Sequence, residues 1–166
     1  MTALRWLLRI AAAGVALLAM LFLGARLHDG PLGPIPGGAL EAGEEVTVPV
    51  TDWSFAVDVG EIELQLTAQS RSRITWFLVH EGEAYVPCST GFPPGKSWHR
   101  DAAVDGRAVL RISGKRYPVT LTKLEGAETA ERLATLEPEM ERKYGRTIPG
   151  GDGVWLFRVA SRAPTS

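Results

Sequence analysis

Cysteine is nearly missing from this chain, and its scarcity removes several kinds of protein at once. Cys88 is the only one in 166 residues, so neither an internal disulfide nor a cysteine-based zinc site can form. Histidine is sparse as well. His28, His80 and His99 lie far apart, and no His-x-x-x-His or comparable pair occurs, so a metal site of standard spacing is not expected. An excess of one charge is also lacking. The formal net charge is −1, which suggests neither nucleic acid nor an acidic partner through bulk electrostatics. No internal repeat is visible, and nothing marks a second domain.

What is present begins with a long apolar run. Residues 10–25 read IAAAGVALLAMLFLGA, and Trp6, Leu7 and Leu8 extend it past Arg9. Residues 6–25 as a helix would span about 30 Å, close to the hydrocarbon thickness of a bilayer. Arg9 can snorkel toward the headgroups, and Trp6 suits the interface. The expectation is a transmembrane anchor over residues 1–26. A cleaved signal peptide is the alternative, but Leu23-Gly24-Ala25 is a poor cleavage site and Arg26 follows at once. Arg5, Arg9 and the amino terminus precede the run; after Arg26 and His28 no Lys or Arg occurs before Arg71. Positive charge stays on the cytoplasmic side. The domain is therefore expected on the extracytoplasmic side, the periplasm of a Gram-negative cell.

Residues 28–43 hold three prolines and five glycines. Such a stretch forms neither helix nor central strand, so residues 27–44 read as a tether lying on, or leading to, a domain over 45–162. That domain has one core's worth of chain. A short edge strand interrupted by Pro49 is expected over 46–50, and a half-buried alternating strand over 62–67. A central strand is expected over 74–80, with a turn at Glu81-Gly82-Glu83 into a strand over 84–87. Strands follow over 107–113 and 116–124 around Ser113-Gly114-Lys115. Residues 127–144 carry Leu133, Leu136, Met140 and Tyr144 on one helical face, with Pro138 kinking the helix or opening a second one. A last strand covers 154–159. The fold expected is mainly β: a small antiparallel barrel with one or two C-terminal helices behind the N-terminal helix, in the split form that the resemblance given below implies.

The chemistry concentrates in Gly91-Phe92-Pro93-Pro94-Gly95-Lys96-Ser97-Trp98-His99-Arg100-Asp101. A small anionic ligand needs Arg, Lys, hydroxyls and backbone N–H groups converging on it. Arg73 and Lys96 are the candidate clamp, with Thr75 and Ser97 as hydroxyl donors, Trp98 as a ring that could stack on a planar ligand, and Arg100 as an anion contact. Each has a plainer reading: solvated strand-entry and loop-tip charges, a core tryptophan plugging the barrel mouth, a surface histidine at His99. Cys88 reads as a buried structural thiol, since no motif sets a base beside it.

Residues 62–124 resemble the split β-barrel flavin-binding superfamily, which takes in pyridoxamine 5′-phosphate oxidase-like proteins and the deazaflavin-dependent nitroreductase group. The resemblance rests on Arg73-Ile74-Thr75-Trp76-Phe77, on Lys96 as the loop cation, and on Asp101-Ala102-Ala103-Val104-Asp105-Gly106-Arg107-Ala108-Val109 before a glycine hairpin. Asp101 stands where the family has Asn, Gly106 where it has Pro, and the phosphate motif of the deazaflavin group is reduced to Gln69-Ser70-Arg71-Ser72-Arg73. The resemblance implies FMN or deazaflavin as cofactor, with haem as a further candidate, and a homodimer sharing the ligand. It implies a membrane-tethered oxidoreductase-like protein reducing a small molecule. The alternative is a non-catalytic cofactor-binding or interaction module on the same fold.

Overall fold

The structure is a computed structural model and describes residues 2–145 and 153–163. An N-terminal helix, α1 (Thr2–Leu27), is followed by strands β1 (Glu44–Glu45), β2 (Glu61–Leu66), β3 (Ser72–Trp76), β4 (Leu78–His80) and β5 (Glu83–Ser89). Helix α2 (Trp98–Val104), β6 (Arg107–Ile112), β7 (Lys115–Lys123), helix α3 (Gly126–Tyr144) and β8 (Val154–Ser161) complete the order. One sheet carries all eight strands, in the order β3-β2-β6-β7-β8-β5-β4, with β1 pairing in parallel beside β7. The other pairings are antiparallel. The result is a curled, split antiparallel barrel.

Alternation explains the curl. Ile62, Leu64 and Leu66 of β2 are buried while Glu61, Glu63 and Gln65 are not, the period-2 signature of a strand with one face in the core. The barrel interior holds these residues with Ala108, Leu110, Ile112, Val119, Leu121, Phe157 and Val159. The opposite face of β5 and β8 carries Tyr85 and Leu156, and α3 covers them with Leu133, Leu136 and Met140. Burying α3's stripe accounts for its helicity better than its charged composition does. Pro138 lies inside α3, which remains one helix over the described residues, and Gly145 closes it in the left-handed conformation.

Two expectations change. The strand expected over 74–80 is broken at Phe77 into β3 and β4, which sit at opposite ends of the sheet order. The strand expected over 46–50 is the two-residue β1. Val46 N–H still donates to the Arg116 carbonyl, but Pro49 has no N–H to continue a ladder.

The break at Phe77 is clamped by the end of α3. Tyr144 stacks on Trp76 with ring centroids 3.9 Å apart. Its hydroxyl accepts from Phe77 N–H and donates toward the Gly60 and Phe77 carbonyls. Lys143 Nζ donates to the Val59 and Phe77 carbonyls and pairs with Glu139.

The tether is docked rather than extended. Arg111 on the outer face of β6 holds Asp29 at 2.7 Å and also pairs with Glu63. Leu40 is buried, and its N–H donates to Gln65 Oε1. Gly37 bridges Ser72 at the edge of β3. A Cβ at Gly37 would lie 1.7 Å from the Gly30 carbonyl oxygen, so the approach of these two backbones requires glycine. Helix α1 is long and apolar enough to cross a membrane.

Candidate functional site

Arg73 lies directly across β2 from Leu64, and Thr75 from Ile62. Opposed residues in a ladder share a face, so both belong to the interior side of the sheet. The guanidinium lies 5.6 Å from the Trp98 ring centroid, a cation–π contact. Nη2 donates to Gln69 Oε1 at 3.0 Å, and Gln69 in turn donates to Asp101 at 2.8 Å. Nε is buried without a partner among the described residues. Burial, reinforced by neighbouring Arg71, pushes the Arg73 guanidinium down to about 10. A cation in this condition is stabilised by any anion that reaches it.

Short helix α2 fixes the other wall. Trp98 and His99 are 6% and 4% exposed. Trp98 packs against Phe157, and His99 sets its ring edge against Trp155 at 4.9 Å. The surface reading of His99 is overturned: placed on a helix against the barrel mouth, its ring is covered on the Trp155 side. Its Nδ1 is buried without a partner among the described residues. Burial, then Lys96 and Arg100, holds its proton affinity below the ordinary imidazole value. Ser97 precedes α2, and its hydroxyl makes no capping bond.

Between these walls lies a cleft of about 540 Å³, lined by Gln69, Arg71, Arg73, Ile74, the loop 93–98, and Gly33, Pro34 and Pro36 of the tether. The volume falls within the range of small-molecule sites. The structure thus brings Arg73, Lys96, Ser97 and Trp98 to one cleft. Thr75 and Arg100 do not line it; Arg100 is exposed, one residue beyond the buried pair on α2. The tether wall and Gln69 were not singled out from sequence, since a Pro/Gly run and a turn glutamine carry no periodic signal. No lining residue is acidic.

Cys88 sits on β5 at 3% exposure. Burial raises its thiol proton affinity, while Lys96 and Arg73 nearby pull the other way. Its sulfur donates to the Ser89 carbonyl at 3.6 Å. A second hollow of about 370 Å³ lies where β7 and β8 meet the start of α3. There Lys123 covers Trp155 and pairs with Glu125 at 2.9 Å, so its charge is already balanced. Among the described residues no group of three or more His, Cys, Asp or Glu could hold a metal ion.

No family model matches the chain, and no curated protein matches it. Among solved structures, the chain is similar to a protein of Listeria innocua described as a pyridoxamine 5′-phosphate oxidase. The identity is 11%, the TM-score is 0.44, and the likeness covers 64% of this chain and 89% of the other. At that score and identity the likeness transfers neither family nor function.

Proposed function

We propose that the cleft binds a planar small molecule carrying a phosphate, with flavin mononucleotide as the leading candidate and a deazaflavin next. The observation that carries this reading is the convergence of Arg71, Arg73 and Lys96 on one cleft with a buried tryptophan and no carboxylate in its lining. The fit is chemical. A phosphate dianion calls for paired cations and hydroxyl donors. Arg73 and Lys96 would hold it, Arg73 Nε supplies a buried donor still without a partner, Ser97 offers a free hydroxyl, and Trp98 would bound the ring. Thr75 and Arg100 would act from outside the cleft, on the strand and helix that carry Arg73 and Trp98.

A bound flavin supplies hydride chemistry. The chain's own contribution is to clamp, orient and shield. In this reading the protein is an oxidoreductase-like domain over residues 45–162, tethered by a membrane helix with the domain on the extracytoplasmic side and sharing its ligand in a homodimer. A second reading is favoured by one observation: the cleft lining contains no carboxylate and no histidine, which leaves Lys96 as the one ordinary acid–base group beside a ligand there. A binding module holding flavin without turnover fits that lining, whereas haem would need an axial ligand from outside it.

The test is a spectroscopic titration of the full chain in detergent with FMN, deazaflavin and haem in separate cells. FMN should bind with quenched emission, and Arg73→Ala with Lys96→Ala should abolish that binding while the circular dichroism spectrum stays the same. Unchanged FMN binding by the double variant would remove the proposed clamp. A Soret shift with haem alone would replace the flavin reading with the module.

A further inference from the structure

The tether turns back on itself just beyond the membrane helix. Leu32 N–H donates to the Ile35 carbonyl and Ile35 N–H to the Leu32 carbonyl, at 3.0 and 3.1 Å. The tip of this turn, Gly33-Pro34, forms one lip of the cleft, and Pro93-Pro94 lines it too. Each lip carries an exposed apolar side chain, Leu32 at 38% and Phe92 at 73%. Exposed Arg71 lines the cleft beside them. Apolar tips beside an exposed arginine, with Lys96 in the same cleft, match the chemistry of an anionic lipid surface.

Position strengthens the match. Leu32 is five residues past Leu27, the last residue of α1, and five residues reach at most about 18 Å. The polar layer of a leaflet is on the order of 6 Å thick. The end of α1 is also fixed to the domain. His28 N–H donates to the Ala25 carbonyl at 3.2 Å, Gly38 N–H to the His28 carbonyl at 2.9 Å, and Asp29 is held by Arg111. The domain therefore does not swing from a loose string.

We propose that the lips of the cleft, Leu32 and Phe92-Pro93-Pro94 with Arg71, form a second membrane contact, docked on the anionic headgroup layer of the bilayer that α1 spans. The cleft mouth then opens into the headgroup region, and whatever enters the cleft passes through that layer. The inference rests on α1 spanning the membrane and is independent of which ligand the cleft holds.

The experiment uses the full chain in nanodiscs of phosphatidylcholine with a minority of phosphatidylglycerol. Bimane is attached at Phe92→Cys, at Pro94→Cys, and at Glu137→Cys on the exposed face of α3. The chain without these substitutions reports any labelling of buried Cys88. With a headgroup nitroxide lipid present, the two lip positions should lose roughly half of their emission while the α3 position keeps nearly all of it. Replacing the anionic lipid with phosphatidylcholine should reverse much of that loss. Membrane retention is scored separately by flotation. A protein that floats with unquenched lips, or with all three positions quenched alike, overturns the docking surface. A protein that does not float removes the anchor and the docking surface together.

Discussion

Replacing Arg73 with Met separates a ligand clamp from a structural cation. In the ligand-free protein this guanidinium is a poorly compensated charge, depressed to about 10 mainly by burial. A depression of that size corresponds to about 3 kcal/mol of unfavourable burial at neutral pH. Against it stand a charged hydrogen bond to Gln69, about 2 kcal/mol, and the contact over Trp98, about 1 kcal/mol. These nearly cancel. Methionine keeps the unbranched apolar stem and can lie against Trp98, so ligand-free Arg73→Met should unfold within about 1 kcal/mol of the unsubstituted chain, a change of roughly 4 °C or less. The ligand-bound forms should diverge. Loss of one charge-assisted phosphate contact is worth about 1.5–3 kcal/mol, a fall of about ten- to a hundredfold in FMN affinity. The assay is thermal unfolding in detergent, followed by near-UV circular dichroism, with and without saturating FMN. If ligand-free Arg73→Met loses more than about 2 kcal/mol, Arg73 is a structural strut and the reasoning fails.

Two further outcomes test the surroundings of the cleft. Burial holds His99 below its ordinary proton affinity, so the unfolded chain takes up the proton first as pH falls. Stability from this group is present above the unfolded value of about 6.5 and declines below it; urea midpoints measured from pH 7.5 to 5 should fall, and His99→Phe should flatten that slope. At the strand break, Tyr144→Phe removes the hydroxyl shared with Gly60 and Phe77 but keeps the ring on Trp76. It should cost about 1–2 kcal/mol in chemical denaturation, whereas Tyr144→Ala should cost about 3–5 kcal/mol; equal costs would mean that the stacking contributes nothing.

Much of the sheet was legible because its strands alternate. In β2 and β6 the residues at every second position are buried, and the turns at Glu81-Gly82 and Ser113-Gly114 carry the left-handed backbone that glycine favours. The partner switch at Phe77 was not legible. It depends on Tyr144 and Lys143 reaching it from 66 or 67 residues away, and no local pattern encodes such a contact. That the tether lies on the domain was one of two readings offered, but the contacts that dock it were hidden for the same reason: Asp29 and Arg111 are 82 residues apart. Of the site, Arg73, Lys96, Ser97 and Trp98 were readable as a cluster of anion-binding types. The burial of His99 was not, because a seven-residue helix behind a Pro/Gly loop looks like part of that surface loop until the barrel mouth closes over it.

The break at Phe77 also explains how a charged side chain comes to face a barrel interior. Strand β3 pairs with β2, and its other edge receives a bridge from Gly37 at Ser72. Strand β4 pairs with β5 at Glu83, Ala84 and Tyr85, leaving Val86 to Ser89 paired with β8 alone. The ladder is therefore open between β3 and the far half of β5, a gap in the hydrogen bonding. Arg73 and Cys88 flank it from the two strands, Trp98 of α2 packs under Arg73, and the tether turn lines the cleft there. In a fully closed barrel, Arg73 opposite Leu64 would be a buried cation without access to water or anion, a costly arrangement. The split lowers that cost by admitting solvent, and it leaves donors at the gap incompletely satisfied. The geometry that keeps the arginine tolerable is thus the same geometry that lets a small anion reach it, and α3 grips Phe77 at the point where the strand changes partner.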